Sequence, residues 1–366
     1  MTKIAIDARE LRQSTGRYVE RLIYYLQQID NDHDYTILLN PKDMNTWEPT
    51  NPRFTKVACP HKEFTFDEQI GFKRQLDKLG ADLVHFAMIQ QPVWYRGNKV
   101  TTIQDLTTAR FRNPSKNYFV FTIKQLVYKW VIRNVAKKSS QVLAISNFVK
   151  QDIVDFTGIN PDKITVTLEA VDEFDEPPKP VPGFEDKEYI MFNGRPLLHK
   201  NLKRVIEAFA ILHEKNPDLY LMLAGKKNKL QADYVAHANK LGVSDHVIIT
   251  DWITDGQLKW AMQHTKAYIW ASLSEGFGLP PLEAMLNNAP VVSSNASCMP
   301  EILGDAAHYF NPLDVQDMAN KIQEVLEDPV LREELCEKGH QQIQKYSWKR
   351  MAEQTLTVYK KALNEK

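Results

Sequence analysis

The strongest constraint on this chain is a rhythm that is interrupted once. Short apolar runs rich in β-branched and aromatic residues, at 3–6, 35–39, 82–86, 99–103, 141–145 and 164–168, alternate with longer stretches of helical periodicity. Several runs are almost continuously apolar, as strands buried on both faces of a parallel sheet must be. The acidic, proline-rich stretch 172–183 has no periodicity and reads as a linker. Beyond it the alternation resumes at 189–192, 220–223, 247–250, 267–270 and 290–292, with amphipathic segments such as 202–212 and 315–326 between. The expectation is an α/β chain of two tandem Rossmann-like βαβ domains facing a cleft, over 1–172 and 188–345, with a linker at 173–187. Residues 346–366 follow as a segment of helical pattern.

The length of 366 residues suits two domains, and 43% hydrophobic with 25% charged residues is the composition of a globular protein. Cys59, Cys298 and Cys336 are far apart and odd in number, which argues against a disulfide framework or a cysteine zinc site. No apolar stretch reaches the length of a membrane span, and the first residues enter a strand at once, without the apolar core of an export signal. A cytoplasmic location is the expectation.

The net charge is zero, yet residues 1–150 carry 23 basic and 14 acidic side chains and the remainder 23 and 32. Much of the excess lies in 101–150, where nine Lys and Arg face the single acid Asp105. The first half is thus suited to meet something anionic.

Ligands of open parallel sheets bind beyond the carboxyl ends of strands, so the residues just after the strands are the candidates for chemistry. Gly194-Arg195 follows the run 189–192, and Lys200-Asn201 opens a helix. A guanidinium fork and an ammonium suit the oxygens of a diphosphate, though two solvated cations near a helix start would look alike. The run 267–270 leads into Ser272-Leu-Ser-Glu275-Gly276-Phe277-Gly278-Leu279-Pro280-Pro281-Leu-Glu283. Its glycines permit close backbone approach, and its proline pair marks the first turn of a helix whose free amides can face a phosphate. Glu275 at the strand exit and Glu283 in the first helical turn would offer two carboxylates to hydroxyl groups, sugar at one end and ribose at the other. Earlier, Gly16-Arg17 follows the first strand and Gln104-Asp105 follows the run 99–103. Each alone reads as a turn.

Together these motifs resemble the signature of the retaining GT-B glycosyltransferases of family 4, glycosyl transferases group 1. Further landmarks fall in the expected order: Asp7-Ala-Arg9, Asp82-Leu-Val-His85, Ile145-Ser-Asn147, Pro300-Glu301 and Tyr346-Ser-Trp348. The resemblance implies the GT-B fold, with residues 1–172 as acceptor domain, 188–345 as nucleotide-sugar donor domain, and the C-terminal helix crossing back to the first domain. It implies that Arg195 and Lys200 hold the donor diphosphate, with Gly194 and Asn201 beside them, and that Glu283 holds the ribose. Glu275 and the backbone of Gly276, Phe277, Gly278 and Leu279 would contact the sugar, and Gly16 would lie against the phosphates. Where such enzymes carry His-Asp, this chain has Gln104-Asp105; glutamine can hydrogen-bond a hydroxyl but cannot titrate near neutral pH.

The implied activity is retaining transfer of a hexose, mannosyl transfer included, from a UDP- or GDP-sugar to a glycan or lipid-linked acceptor, as in polysaccharide biosynthesis. The sugar nucleotide is a co-substrate; no cofactor and no metal are expected, the cations and helix amides taking the metal's part. Within 116–138, Tyr118, Phe119, Phe121, Tyr128 and Trp130 mix with Lys124, Lys129, Arg133, Lys137 and Lys138. Such a segment can lie peripherally on the inner, anionic face of a membrane, or be a domain helix with aromatics in the core and cations in water. A GT-B sugar-nucleotide epimerase and a non-catalytic sugar-binding protein are the rival readings. Nucleic acid is not expected as a partner, since no recognition motif for it occurs.

Overall fold

A computed structural model describes residues 1–12, 16–111, 118–225 and 230–365, apart from the side chains of 118–121 and 123. The chain forms two compact α/β units: residues 1–109, 118–169 and 347–366 in the first, and residues 170–346 with Arg110 and Phe111 in the second.

The first unit is a seven-stranded parallel sheet of β1 (Lys3–Ala8), β2 (Asp34–Leu39), β3 (Phe54–Ala58), β4 (Leu83–Phe86), β5 (Lys99–Ile103), β6 (Gln141–Ala144) and β7 (Ile164–Val166), in the order β3-β2-β1-β4-β5-β6-β7. β4 and β5 are buried throughout, and their polar His85, Thr101 and Thr102 are satisfied by hydrogen bonds. The helix Trp348–Leu363 belongs to this unit and packs on the helix Gly16–Ile29. Its Tyr359 hydroxyl bonds His85 Nδ1 at 2.6 Å, and the other ring nitrogen of His85 bonds Thr102 at 2.8 Å. Burial holds the His85 imidazole at a pKa of about 3, so it is neutral at physiological pH and ties helix to sheet without charge.

The second unit is a six-stranded parallel sheet of β8 (Tyr189–Asn193), β9 (Tyr220–Ala224), β10 (Val247–Ile249), β11 (Ala267–Trp270), β12 (Val291–Ser294) and β13 (Ala307–Phe310), in the order β10-β9-β8-β11-β12-β13. The winding direction reverses between β1 and β4 in one sheet and between β8 and β11 in the other. These switch points are where doubly wound sheets open a crevice for ligands.

Two strands, β3 and β13, have no counterpart among the runs expected from sequence. Both are sheet-edge strands of mixed polarity, so neither presents a continuous apolar run. The acidic proline-rich stretch is no free tether. It belongs to the second unit, where Glu176 accepts a 3.0 Å bond from the Gly256 amide, Lys179 N–H donates to Gly256 O at 3.0 Å, and Lys259 donates to Phe174 O. A Cβ on Gly256 would sit 2.5 Å from Pro177 O, so this docking requires glycine.

In the basic helix Tyr118–Lys138, Ile132, Val135 and Ala136 face the core. The guanidinium of Arg133 lies over the Phe156 ring and bonds its carbonyl, so it is tied to a neighbouring helix, whereas Leu126, Val127 and Trp130 are exposed. Tyr118, Phe119 and Phe121 lie outside the described side chains. No helix among the described residues is long and apolar enough to cross a membrane.

Candidate active site

The exits of β8 and β11 flank the switch point of the second sheet, and their loops are built to meet. β8 ends at Asn193, and Gly194 takes φ 143°, a conformation open to glycine. The chain passes the exposed Arg195, makes a short turn at Leu198–Lys200, and starts the helix Leu202–Lys215 from Asn201, itself left-handed at φ 63°. The Asn201 amide donates to Pro312 O at 2.7 Å and its oxygen accepts from Arg204, so the residue holds this turn in place.

From the other strand, Glu275 reaches the same turn. Lys200 Nζ stands 2.6 Å from Glu275 Oε1, both side chains being nearly buried, and 4.4 Å from the centre of the Trp270 ring. The Ser272 hydroxyl donates to the same carboxylate oxygen, and Leu273 N–H donates to His199 O at 2.8 Å. One ammonium is therefore fixed by a carboxylate and an aromatic face, and its remaining N–H donors can serve a ligand.

The loop after Glu275 is pinned from below. Cys298 Sγ bonds Glu275 O at 3.3 Å and Phe277 O at 3.4 Å, and the Ser297 hydroxyl accepts from Glu275 N–H. Gly278 adopts φ 98°, and a Cβ there would lie 2.5 Å from the Met299 methyl. This turn starts the helix Leu279–Leu286, with Pro280 and Pro281 in its first turn and no side chain capping its amides. Glu283 is in the second turn, not the first as expected, because the helix already begins at Leu279, directly after Gly278 and ahead of the proline pair. It is only 5% exposed, so it is no solvated acid complementing the helix dipole. Its charge and that of Glu275 both act on Tyr268, whose phenol is pushed up first by burial, then by Glu283. The Tyr268 hydroxyl in turn donates to Asn193, joining the ends of β8 and β11.

In the first unit the candidates are held differently. A Cβ on Gly16 would meet Leu11 O at 2.0 Å, so the local turn by itself demands glycine there. Ser14 and Thr15 lie outside the described residues. Asp105 Oδ1 accepts from Thr107 N–H at 2.7 Å and caps a short helix. The amide nitrogen of Gln104 is buried without a hydrogen-bond partner, an arrangement that invites a ligand oxygen.

Residues 174–342 match the family model described as glycosyl transferases group 1, and residues 15–174 match that of glycosyltransferase family 4. The chain belongs to the group 1 glycosyltransferases. Among its relatives is the serotype-specific mannosyltransferase WbdA of Escherichia coli, 30% identical over 58% of this chain and 28% of the relative. Another is the O-antigen chain mannosyltransferase B of the same organism, 26% identical over 60% of each. The chain thus spans between about a quarter and three fifths of the length of these relatives. Among solved structures, sucrose-phosphate synthase of Thermosynechococcus elongatus superimposes with a TM-score of 0.77 at 16% identity over 99% of both chains. Anabaena HepE, solved in complex with UDP and glucose, gives 0.74 at 17% over 99% of this chain and 100% of its own. These likenesses establish the GT-B fold.

Several residues around these loops escape sequence reasoning. Trp270 reads as a core strand residue, yet its face holds Lys200. Ser272, Ser297 and Cys298 act through single hydrogen bonds that no spacing announces. His199 is held at a pKa of about 4 by burial and then by Lys200, so a neutral imidazole adjoins the ion pair. Glu169, just beyond β7, is a buried carboxyl group raised by desolvation to about 7 despite the nearby Arg17. The chain does contain Asp-x-Asp spacing, at Asp30-Asn31-Asp32 and Asp32-His33-Asp34. Asp30 is engaged by His33 and Tyr35 and Asp34 by Arg53, and no group of three metal-ligating side chains occurs among the described residues.

Proposed function

We propose that this chain is a retaining hexosyltransferase that takes its sugar from a nucleoside diphosphate donor, and does so without a metal. The observation that carries the reading is the Lys200–Glu275 pair, which fixes cation and carboxylate together beside uncapped helix amides at a sheet switch point. The relatives named as mannosyltransferases support a mannosyl-type transfer, and the UDP complex of a neighbour of the same fold supports a nucleoside diphosphate donor.

In the reaction the bond between the anomeric carbon and the phosphate oxygen breaks, and its electron pair leaves with the diphosphate. Arg195, Lys200 and the amides at Leu279 and beyond stabilise that charge, which grows toward the transition state. Glu283 accepts from the ribose hydroxyls, while Glu275 and the backbone of Gly276–Leu279 orient the sugar. The acceptor hydroxyl attacks the face the diphosphate leaves, and its proton passes to the departing phosphate oxygen, so the configuration is retained. In the first unit, Gly16, Gln104 and Asp105 stand at the carboxyl end of their sheet and serve the same reaction by hydrogen bonding and close backbone approach. Because residue 104 is a glutamine, that contact donates or accepts a hydrogen bond but moves no proton. The acceptor is a glycan or a lipid-linked saccharide, and the exposed Leu126, Val127 and Trp130, flanked by Lys124 and Lys129, rest on an anionic membrane surface. NMR of the product formed from an α-linked donor tests the chemistry. An α-linked product is expected, and a β-linked one contradicts the mechanism.

A further inference from the structure

The first unit holds a second, unrelated concentration of positive charge. At the amino end of β5, the end opposite to that where parallel sheets bind ligands, a surface cavity of ≈ 700 Å³ is lined by Lys73, Trp94, Tyr95, Arg96, Lys99 and Lys138. Its floor is Lys99, only 3% exposed, whose ammonium donates to Tyr95 O at 2.7 Å and lies 5.5 Å from the Tyr95 ring. The loop beside it is tightly wound: a Cβ on Gly97 would come within 2.1 Å of the Tyr95 hydroxyl, so residues 95–97 curl around that ring. Arg96 and Lys138 are exposed at the rim, and Trp94 presents an indole to solvent at 55% exposure. Among the described residues, the acid paired with a lining cation is Asp77, 2.6 Å from Lys73.

Four cations against one neutralised acid is an unbalanced arrangement. Desolvation, then repulsion from Lys138 and Lys163, lowers Lys99 to a pKa of about 8, and a bound anion would relieve that repulsion. The cavity also absorbs part of the basic excess of the first 150 residues, which the donor site does not use.

We propose that this cavity binds a phosphate group carried on a saccharide or lipid, with Lys99, Arg96 and Lys138 holding the phosphate and Trp94 covering the attached ring or chain. Guanidinium and ammonium donors converging from a floor and a rim suit tetrahedral oxygens, and an exposed indole suits the apolar face of what is attached. Either a free phosphate or a phospholipid headgroup would satisfy the same contacts.

Tryptophan fluorescence of the full chain carrying Trp130→Phe, which removes the exposed indole of the basic helix, titrated with inorganic phosphate and separately with phosphatidylcholine vesicles with and without 30% phosphatidylglycerol, tests the proposal. A saturable change is expected that disappears in Trp94→Phe and whose apparent affinity falls about tenfold or more in Arg96→Ala/Lys138→Ala, both exposed positions. A response to phosphate identifies a soluble ligand; a response confined to the phosphatidylglycerol vesicles identifies a headgroup. No response to either, a response that survives Trp94→Phe, or an affinity unchanged in the double variant would overturn the site.

Discussion

The two sheets end in loops of opposite character. At the exits of β8 and β11 in the second unit, charged side chains are held by one another and by polar neighbours: Lys200 by Glu275 and Trp270, Glu275 by Ser272, and the loop backbone by Cys298 and Ser297. At the exits of the first unit, the candidate residues serve the local fold: Gly16 fits against Leu11 and Asp105 caps a helix, while Gln104 keeps a buried amide unpaired. The difference teaches where electrostatic catalysis can reside. Charges already oriented need no reorganisation when a leaving group becomes anionic, which is the condition for large rate effects. The first unit offers shape and a hydrogen bond instead.

That contrast can be broken most sharply by charge removal in the second unit. Arg195→Ala and Lys200→Ala should each lower the transfer rate by roughly 10²–10³, with circular dichroism unchanged, as measured by initial rates with the preferred donor. Loss below about tenfold for both would move the catalytic charge elsewhere. Gly278→Ala should strain a left-handed turn and crowd Met299, costing about 1–3 kcal/mol. At about 2–4 °C per kcal/mol, calorimetry should record a clear drop in Tm; an unchanged Tm would mean that the turn is not a constraint.

The first unit should respond far less. Gln104→His should leave kcat within about threefold at pH 8 and add a titration between about pH 6 and 7 to the pH–rate profile of the natural chain. A profile unchanged by the substitution would place residue 104 outside the reaction. The smallest effect concerns His199. Its folded pKa of about 4 lies below the ordinary 6.5, so protonation favours the unfolded state and this group removes stability as pH falls from about 6.5 toward 4. Its imidazole resonances should remain those of a neutral ring at pH 6, and a midpoint near 6.5 would place His199 in water.

Much of this architecture is legible in the amino-acid order because parallel strands buried on both faces leave continuous apolar runs, as β9 and β11 do. Edge strands β3 and β13 do not, and they go unseen. Gly194, Lys200, Glu275 and Gly278 can be read at strand exits because backbone strain and charge limit which residues fit. The partners that orient them cannot, since Trp270, Ser272 and Cys298 come near only through packing of segments distant in sequence. Helix entry shows the same limit: the proline pair marks the turn, but entry at Leu279, ahead of the pair, puts Glu283 in the second turn, where it is buried.

Calorimetric titration of the chain and its Lys200→Ala and Arg195→Ala variants with UDP, GDP and ADP addresses the central claim most directly. One nucleotide should bind the natural chain saturably without added metal, with affinity falling at least tenfold in each variant. Equal affinity in all three proteins, or no binding of any nucleoside diphosphate, would contradict the claim that these two cations grip a leaving diphosphate.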